Sequence, residues 1–254
     1  MLAECLAERL GYRCIDRDII VERAAAGGVS QDALMQALVK PPHFWDRFRH
    51  KKYIYLTLIQ AALTEEVRTG NVVYHGNAGH LLLRGAPHVL RVRIIAPLDL
   101  RLGMVQDRLK LNRSEAVAYI EKVDEERRKW TSYLYGVDWE DPHLYDVVLN
   151  LEQMESEEAC EGVATIARQK CFEFTLECQS AMDDLALGSR VRANLALNAS
   201  TSDLEMEVVA RQGSVSIKGK VVDLDQMAEV ERVARGTPGV VELKLDKLGP
   251  MPRV

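Results

Sequence analysis

The sequence predicts an α/β fold, a parallel sheet flanked by helices, followed by a small separate α+β module. Three observations predict it. Up to about residue 172, short apolar segments of strand length alternate with stretches of helical periodicity. Strands separated by helices imply crossover connections and therefore parallel pairing. After about Cys178 the pattern changes to apolar/polar alternation, which marks a sheet with one buried face. The chain has 254 residues; at roughly 150 residues per domain that accommodates one medium domain, expected over 1–172, and one small one, expected over 179–249.

The elements run in order. Leu2, Leu6 and Leu10 recur at helical spacing, and Gly11 ends that helix. Tyr12 to Ile15 is a short strand candidate. Leu56, Ile59, Leu63 and Val67 mark a helix ending near Gly70, followed by the apolar triplet Val72-Val73-Tyr74. Val89 to Ile95 is strand-like, with Arg91 and Arg93 alternating against Leu90, Val92 and Ile94. Pro97 closes it, and Leu98, Leu102, Val105 and Leu109 open the next helix. Ser114 is the expected cap of a further helix carrying Val117, Ile120 and Val123. Tyr145 to Leu149 is one more strand, and Glu155 to about Cys178 one more helix.

In the second module, a helix through Leu187, Val191 and Leu195 precedes Leu204, Met206 and Val208, which alternate with Glu205 and Glu207. An Arg-Gln-Gly turn at 211–213 leads into Val215, Ile217, Gly219 and Val221, so the two stretches form a hairpin. Asp223 caps a helix through Met227, Val230 and Ala234, and Thr237-Pro238-Gly239 turns into Val241, Leu243 and Leu245. The order is α-β-β-α-β. By composition the join near 172–182 is not a flexible linker.

Composition narrows the function classes. There are 33 Lys+Arg against 38 Asp+Glu, a net charge of −5, with 47% hydrophobic and 6% aromatic residues. That balance gives no overall footprint for duplex nucleic acid and no aromatic platform for single strands. No run reaches membrane-spanning length, and the start lacks the features of a signal peptide, so a cytoplasmic protein is the default expectation. Cys5, Cys14, Cys160, Cys171 and Cys178 are odd in number and scattered, which predicts reduced cysteines acting as small hydrophobes. His43, His75, His80, His88 and His143 lack ligand spacing apart from the His75/His80 pair, so no metal site is expected. Trp45, Trp130 and Trp139 read as packing residues.

Three stretches could carry chemistry. Asp16 and Arg17 fall at the carboxyl end of a predicted strand, where ligands bind in open parallel sheets; a capping Asp18 beside a solvated Arg explains the same residues. His75-Gly76-Asn77-Ala78-Gly79 is a small-residue loop after another strand, able to present backbone N–H groups to a phosphate but without a known phosphate-loop spacing. Asp124, Arg127 and Arg128 share one helical face. Arginines there can clamp a phosphoryl group, or the face is an ordinary mixed-charge surface.

Taken together, LAE-LGY followed by DRDII, the glycine-bearing strand end before VLRVRIIAPLDLR, the D-x-x-R pair and DW-x-DP-x-x-YDVVLN resemble the cytidylate kinase-like branch of the nucleoside monophosphate kinases. The resemblance covers about residues 2–170 and rests on the order of four motifs. It implies a P-loop kinase fold, ATP and Mg2+ as cofactors, and a nucleoside monophosphate, CMP by the family pattern, as phosphoryl acceptor. It assigns Asp16 and Arg17 to the acidic motif facing the acceptor, Asp16 in a catalytic role. Gly76 and Asn77 match the family's Gly-Arg pair, with Asn77 in place of the Arg. Asp124 and Arg127 match the lid motif, Arg127 catalytic, with Arg128 a further phosphate candidate. Arg101 and Arg108, on the helix leading into the lid, are the cofactor-side candidates.

The family places a strand and a loop of the type Gly-Ser-Gly-Gly just before the helix seen here as Leu2–Leu10. This sequence begins inside that helix, so the first strand and phosphate loop are expected to be absent. Losing several charge-assisted contacts of roughly 1.5–3 kcal/mol each would cripple ATP binding. The expectation therefore divides between a nucleotide kinase and a non-catalytic nucleotide- or ligand-sensing protein. Gly213 to Val221 and Gly239 to Leu245 resemble a BON domain. That resemblance implies phospholipid or small-ligand contact, or homo-oligomerisation.

Overall fold

The computed structural model describes residues 2–39 and 49–250; His43 and Trp45 lie outside them. Helix α1 (Leu2–Leu10) buries Leu6 and Ala7. It ends as Gly11 predicts. With φ at +68°, Gly11 donates to Glu8 O and the Tyr12 N–H reaches back to Ala7 O, a Schellman cap. The chain then forms β1 (Arg13–Asp16), α2 (Arg17–Ala25), α3 (Gln31–Val39) and α4 (Arg49–Val67). After Gly70 come β2 (Val72–His75), the short α5 (Gly79–Leu82), β3 (Val92–Ile95), α6 (Leu98–Leu109) and α7 (Arg113–Tyr135). Strand β4 (Val147–Asn150) and α8 (Ser156–Ala167) complete the first unit.

The pairing is parallel, as the alternation predicts, but it is divided. β1 pairs with β2, Asp16 opposite His75, and β3 pairs with β4, Ile95 opposite Asn150. Among the described residues these are two separate two-stranded sheets and not one continuous sheet. Both rest on α1 and α8, where Val73, Val92 and Leu149 pack over Leu6, Cys160, Val163 and Ala164. The division shows in burial: no residue of β2, β3 or β4 is fully buried, and Ile94, Ile95 and Val148 are exposed. An ion pair fixes the β3–β4 register, Arg91 Nη2 to Asp146 Oδ1 at 2.7 Å, and holds the Asp146 carboxyl below the usual range.

Two local expectations change. Helix α7 is capped by Asn112, not Ser114, through a capping box with Glu115. The segment expected as one helix from Glu155 to Cys178 divides into α8, a 3-10 turn at Lys170–Phe172 and the start of α9 (Leu176–Leu197), with Thr175 as the new cap. Periodicity carries across this break because both flanking segments are helical.

Helix α9 is buried on two sides. Met182 and Ala193 join the main core of Ile20, Leu34, Ile59, Leu63 and Trp130. Leu187, Val191 and Leu195 face the second core, built on β5 (Glu207–Arg211), β6 (Ser214–Val221), α10 (Leu224–Arg235) and β7 (Glu242–Pro250). The β5–β6 hairpin turns at Gln212 and Gly213, both at positive φ (49° and 82°), which are the signs of a type I′ turn. β7 adds parallel to β6. Polar ties reinforce the junction: Arg192 donates to Gln60 Oε1 (3.0 Å) and Val208 O (3.3 Å), and Tyr53 Oη donates to Met206 O.

One cysteine pair contradicts the expectation of free thiols. Cys5 of α1 and Cys160 of α8 form a disulfide across a Cα–Cα distance of 6.4 Å. They are 155 residues apart in sequence and meet only because the two helices pack side by side. Arg9 adds ion pairs to Glu157 and Glu161 along the same seam. Cys14, Cys171 and Cys178 are free. Among the described residues no helix is long and apolar enough to cross a membrane.

Candidate functional site

The carboxyl ends of β1 and β2 lie side by side, and local hydrogen bonding shapes the chain beyond each strand. Asp16 Oδ1 accepts from the backbone N–H groups of Asp18 and Ile19, both at 3.0 Å. Asp16, not Asp18, is therefore the cap of α2. Arg17 is exposed, with Nε 3.4 Å from Asp18 Oδ1.

After β2 the loop folds tightly around Tyr74. A Cβ at Gly76 would sit 2.7 Å from Tyr74 Cζ and 3.2 Å from Arg17 Cβ, and one at Gly79 would sit 2.7 Å from Tyr74 Cδ1. Burial pushes the Tyr74 hydroxyl up to about 12, so it stays protonated. These contacts explain both glycines without a ligand. Gly76→Ala forces the loop or the Tyr74 ring to move; we expect a loss of about 1–3 kcal/mol in stability, read as a lowered thermal midpoint.

Beyond this loop is a cavity of about 200 Å³, bounded by Gly76, Asn77, His80, Arg93, Arg127, Trp130, Trp139 and Tyr145 among others. Helix α3 closes one side. Its last carbonyls, which lack helical partners, accept from side chains: Trp130 Nε1 to Ala37 O at 2.7 Å and Asn77 Nδ2 to Leu38 O at 3.1 Å. Asn77 thus spends its amide N–H on the backbone, a job no arginine of the family pattern would do in the same way.

Among the described residues, helix α7 supplies one of the two arginines that line the cavity, Arg127; Arg93 of β3 is the other. The first half of α7 makes a small core with α6, through Leu102, Ala116 and Ile120, while Trp130 enters the main core. Asp124 to Arg127 lies between the two. Arg101 of α6 donates to Asp124 at 2.8 Å, so this predicted pair pins α6 to α7. Arg127 remains exposed at the cavity mouth with its guanidinium 5.5 Å from the Trp139 ring centroid. Desolvation pulls its pKa down; Asp124 opposes this, while Arg101 and Arg17 push it further down. Arg17 and Arg101 therefore stand within electrostatic reach of Arg127, an arrangement that an anion relieves.

Other candidates fall away from the cavity. Arg128 pairs with Glu125 on the solvent side of α7. Arg108 is exposed in the last turn of α6, away from the cavity lining. Trp139, expected as a packing residue, has the guanidinium groups of Arg93 (4.8 Å) and Arg127 beside its ring. His80, one of the histidines without ligand spacing, has its Nε2 buried without a partner. The only signal for either in the sequence is adjacency to the predicted motifs.

The cavity, lined by Arg93 and Arg127, lies beyond the carboxyl end of β2, the end of parallel strands at which α/β proteins place their ligands. The chain belongs to the cytidylate kinase-like family: that family's model matches residues 1–153, and a BON domain model matches residues 183–245. Among solved structures, an uncharacterized protein from Eubacterium ventriosum ATCC 27560 shares the fold with a TM-score of 0.50 and 16% identity, over 65% of this chain and 89% of that chain. No curated protein matches.

Proposed function

We propose that the cavity is the acceptor site of a nucleoside monophosphate kinase, with the phosphate held by Arg17 and Arg127 and the base against Trp139 and Tyr145. The observation that carries it is Arg127 on the lining of an aromatic-walled cavity, with Arg17 and Arg101 within electrostatic reach of it and the neighbouring carboxylate of Asp124 already paired to Arg101. Guanidinium groups suit phosphate oxygens through paired donors. About 200 Å³ is small for a whole nucleotide and fits the base, leaving the phosphate at the mouth, where Arg127 is exposed.

The cofactors of the family fit this donor set unequally. The wall is cationic, and no three His, Cys, Asp or Glu residues stand together among the described residues. Magnesium would accordingly enter on phosphate oxygens and water, not on a protein cage. No glycine-rich backbone cradle for a triphosphate is present among the described residues, so no step through ATP is derived.

A second reading, binding without transfer, is favoured by Asp16, whose Oδ1 is committed to capping α2. A coupled assay with ATP, Mg2+ and each monophosphate, run beside calorimetric titration of the same monophosphates, separates the two. Turnover supports the kinase; tight binding with no turnover supports the sensing reading; absence of binding sinks both. For the BON-like module, contact with a membrane surface or small ligand is proposed on family resemblance.

A further inference from the structure

We infer that the Cys5–Cys160 bond is a reversible thiol–disulfide switch that sets how firmly the two walls of the cavity are held together; its effect on affinity rests on the acceptor site proposed above. The two walls come from different strand pairs. Gly76 and Asn77 follow β2, whereas Val92, Arg93 and Ile94 belong to β3, and all of them line the cavity. Among the described residues no strand-to-strand hydrogen bonding joins the β1–β2 pair to the β3–β4 pair. A shared floor joins them instead. Helix α1 packs on β1 and β2, and Val73 of β2, Val92 of β3 and Leu149 of β4 rest on one small core of Leu6, Cys160, Val163 and Ala164. Cys5 packs against that same core, so the disulfide closes the floor from which both walls rise.

The bond is open to exchange from one side. Cys5 is half-buried and Cys160 fully buried. A small-molecule thiolate of the glutathione class therefore attacks Cys5 Sγ. The protein S–S bond breaks, a mixed disulfide forms on Cys5, and Cys160 leaves as a thiolate that takes up a proton. A second thiolate attacks the small-molecule sulfur of the mixed disulfide, giving the small-molecule disulfide and a Cys5 thiolate that is protonated in turn. Two electrons pass from two small thiols to the protein, and the small-molecule disulfide runs the same steps backwards.

Reduction loosens the seam without parting it. Arg9 of α1 pairs with Glu157 and Glu161 of α8, and Arg168 Nη2, at the end of α8, donates to Arg9 O at 3.0 Å. Leu6 packs with Val163 and Ala164. None of these contacts needs the disulfide. The oxidised floor fixes the walls before a ligand arrives, which lowers the ordering cost of binding, whereas the reduced floor leaves that cost to the ligand. The oxidised protein is thus the tighter binder.

The test equilibrates the full chain in glutathione buffers of graded thiol-to-disulfide ratio, approached from the oxidised and from the reduced side, with free thiols counted after an acid quench. Both approaches should trace one curve from three free thiols to five. The reduced form should still melt cooperatively, and its β2 and β3 amides should exchange hydrogen about tenfold faster. Titration with CMP or UMP should show binding about three- to tenfold weaker than in the oxidised form. In Cys5→Ala neither amide exchange nor affinity should vary with the buffer ratio. Two curves that never meet, or a bond reduced only on unfolding, overturn the switch. Unchanged amide exchange overturns its hold on the cavity walls, and faster exchange with unchanged affinity overturns its effect on binding. If neither form binds CMP or UMP, the acceptor reading falls, and the thiol curve with the amide exchange decides the switch.

Discussion

Arg127→Ala should weaken monophosphate binding by about ten- to a hundredfold, the loss expected for one or two charge-assisted hydrogen bonds to a phosphate. The expectation rests on where the charge sits. Asp124, one turn before Arg127 on α7, is spent on Arg101 at 2.7 Å. Desolvation, with Arg101 and Arg17 adding to it, outweighs the favourable field of Asp124 and disfavours the protonated Arg127. Removing it should therefore leave the ligand-free thermal midpoint unchanged or raised, a result that separates a binding arginine from a structural one. Arg127→Lys should recover part of the affinity, because the charge returns without the planar fork. Arg128→Ala, which breaks an exposed pair with Glu125, should change affinity by less than about twofold. Equal affinities for wild type and Arg127→Ala, measured by titration with CMP and UMP, would remove the phosphate-binding role.

The second large effect is on stability. Cys5→Ala should destabilise the oxidised protein by about 2–5 kcal/mol and leave the reduced protein nearly unchanged. The Cys5–Cys160 bond closes 155 residues, and in the chain-entropy account a loop of that length restrains the unfolded chain strongly. Cys5 is only half-buried, so truncating it adds little cavity cost. At roughly 2–4 °C per kcal/mol the thermal midpoint should fall by roughly 4–20 °C. A reductant should bring the wild type down to the variant's midpoint. Thiol titration under denaturing, non-reducing conditions checks the premise: three free thiols, Cys14, Cys171 and Cys178, are expected, and five would falsify the bond.

Much of this molecule is legible from short-range pattern. The Leu2-Leu6-Leu10 spacing with Gly11 yields α1 and its cap, and the Arg-Gln-Gly turn yields the β5–β6 hairpin. The order of four motifs places the chain in its family. These features depend on residues within about a turn of one another, where backbone sterics and local hydrogen bonds decide the outcome. The cap at Asn112 in place of Ser114 is a near miss of the same kind: either residue type can cap, and the reciprocal bond from Glu115 selects Asn112.

The site is less legible, because its chemistry is distributed by packing. Asn77 looks like a substituted ligand-gripping position; in three dimensions it caps α3 at Leu38 O, 39 residues away. Asp124 and Arg127 share a helical face in sequence, yet Arg101 takes the carboxylate and leaves the arginine to the cavity.

The sequence by itself determined several of the helices, α1, α4, α6, α7 and α10 among them, the parallel pairing of the first unit, the β5–β6 hairpin, the change of pattern near Cys178 and the family. Only the tertiary structure decided that the parallel strands form two pairs, that α9 serves two cores, and that Cys5 meets Cys160. The physical reason is range: periodicity encodes which face of an element is apolar, whereas the partner of that face is chosen by which elements pack together across a hundred or more residues of chain.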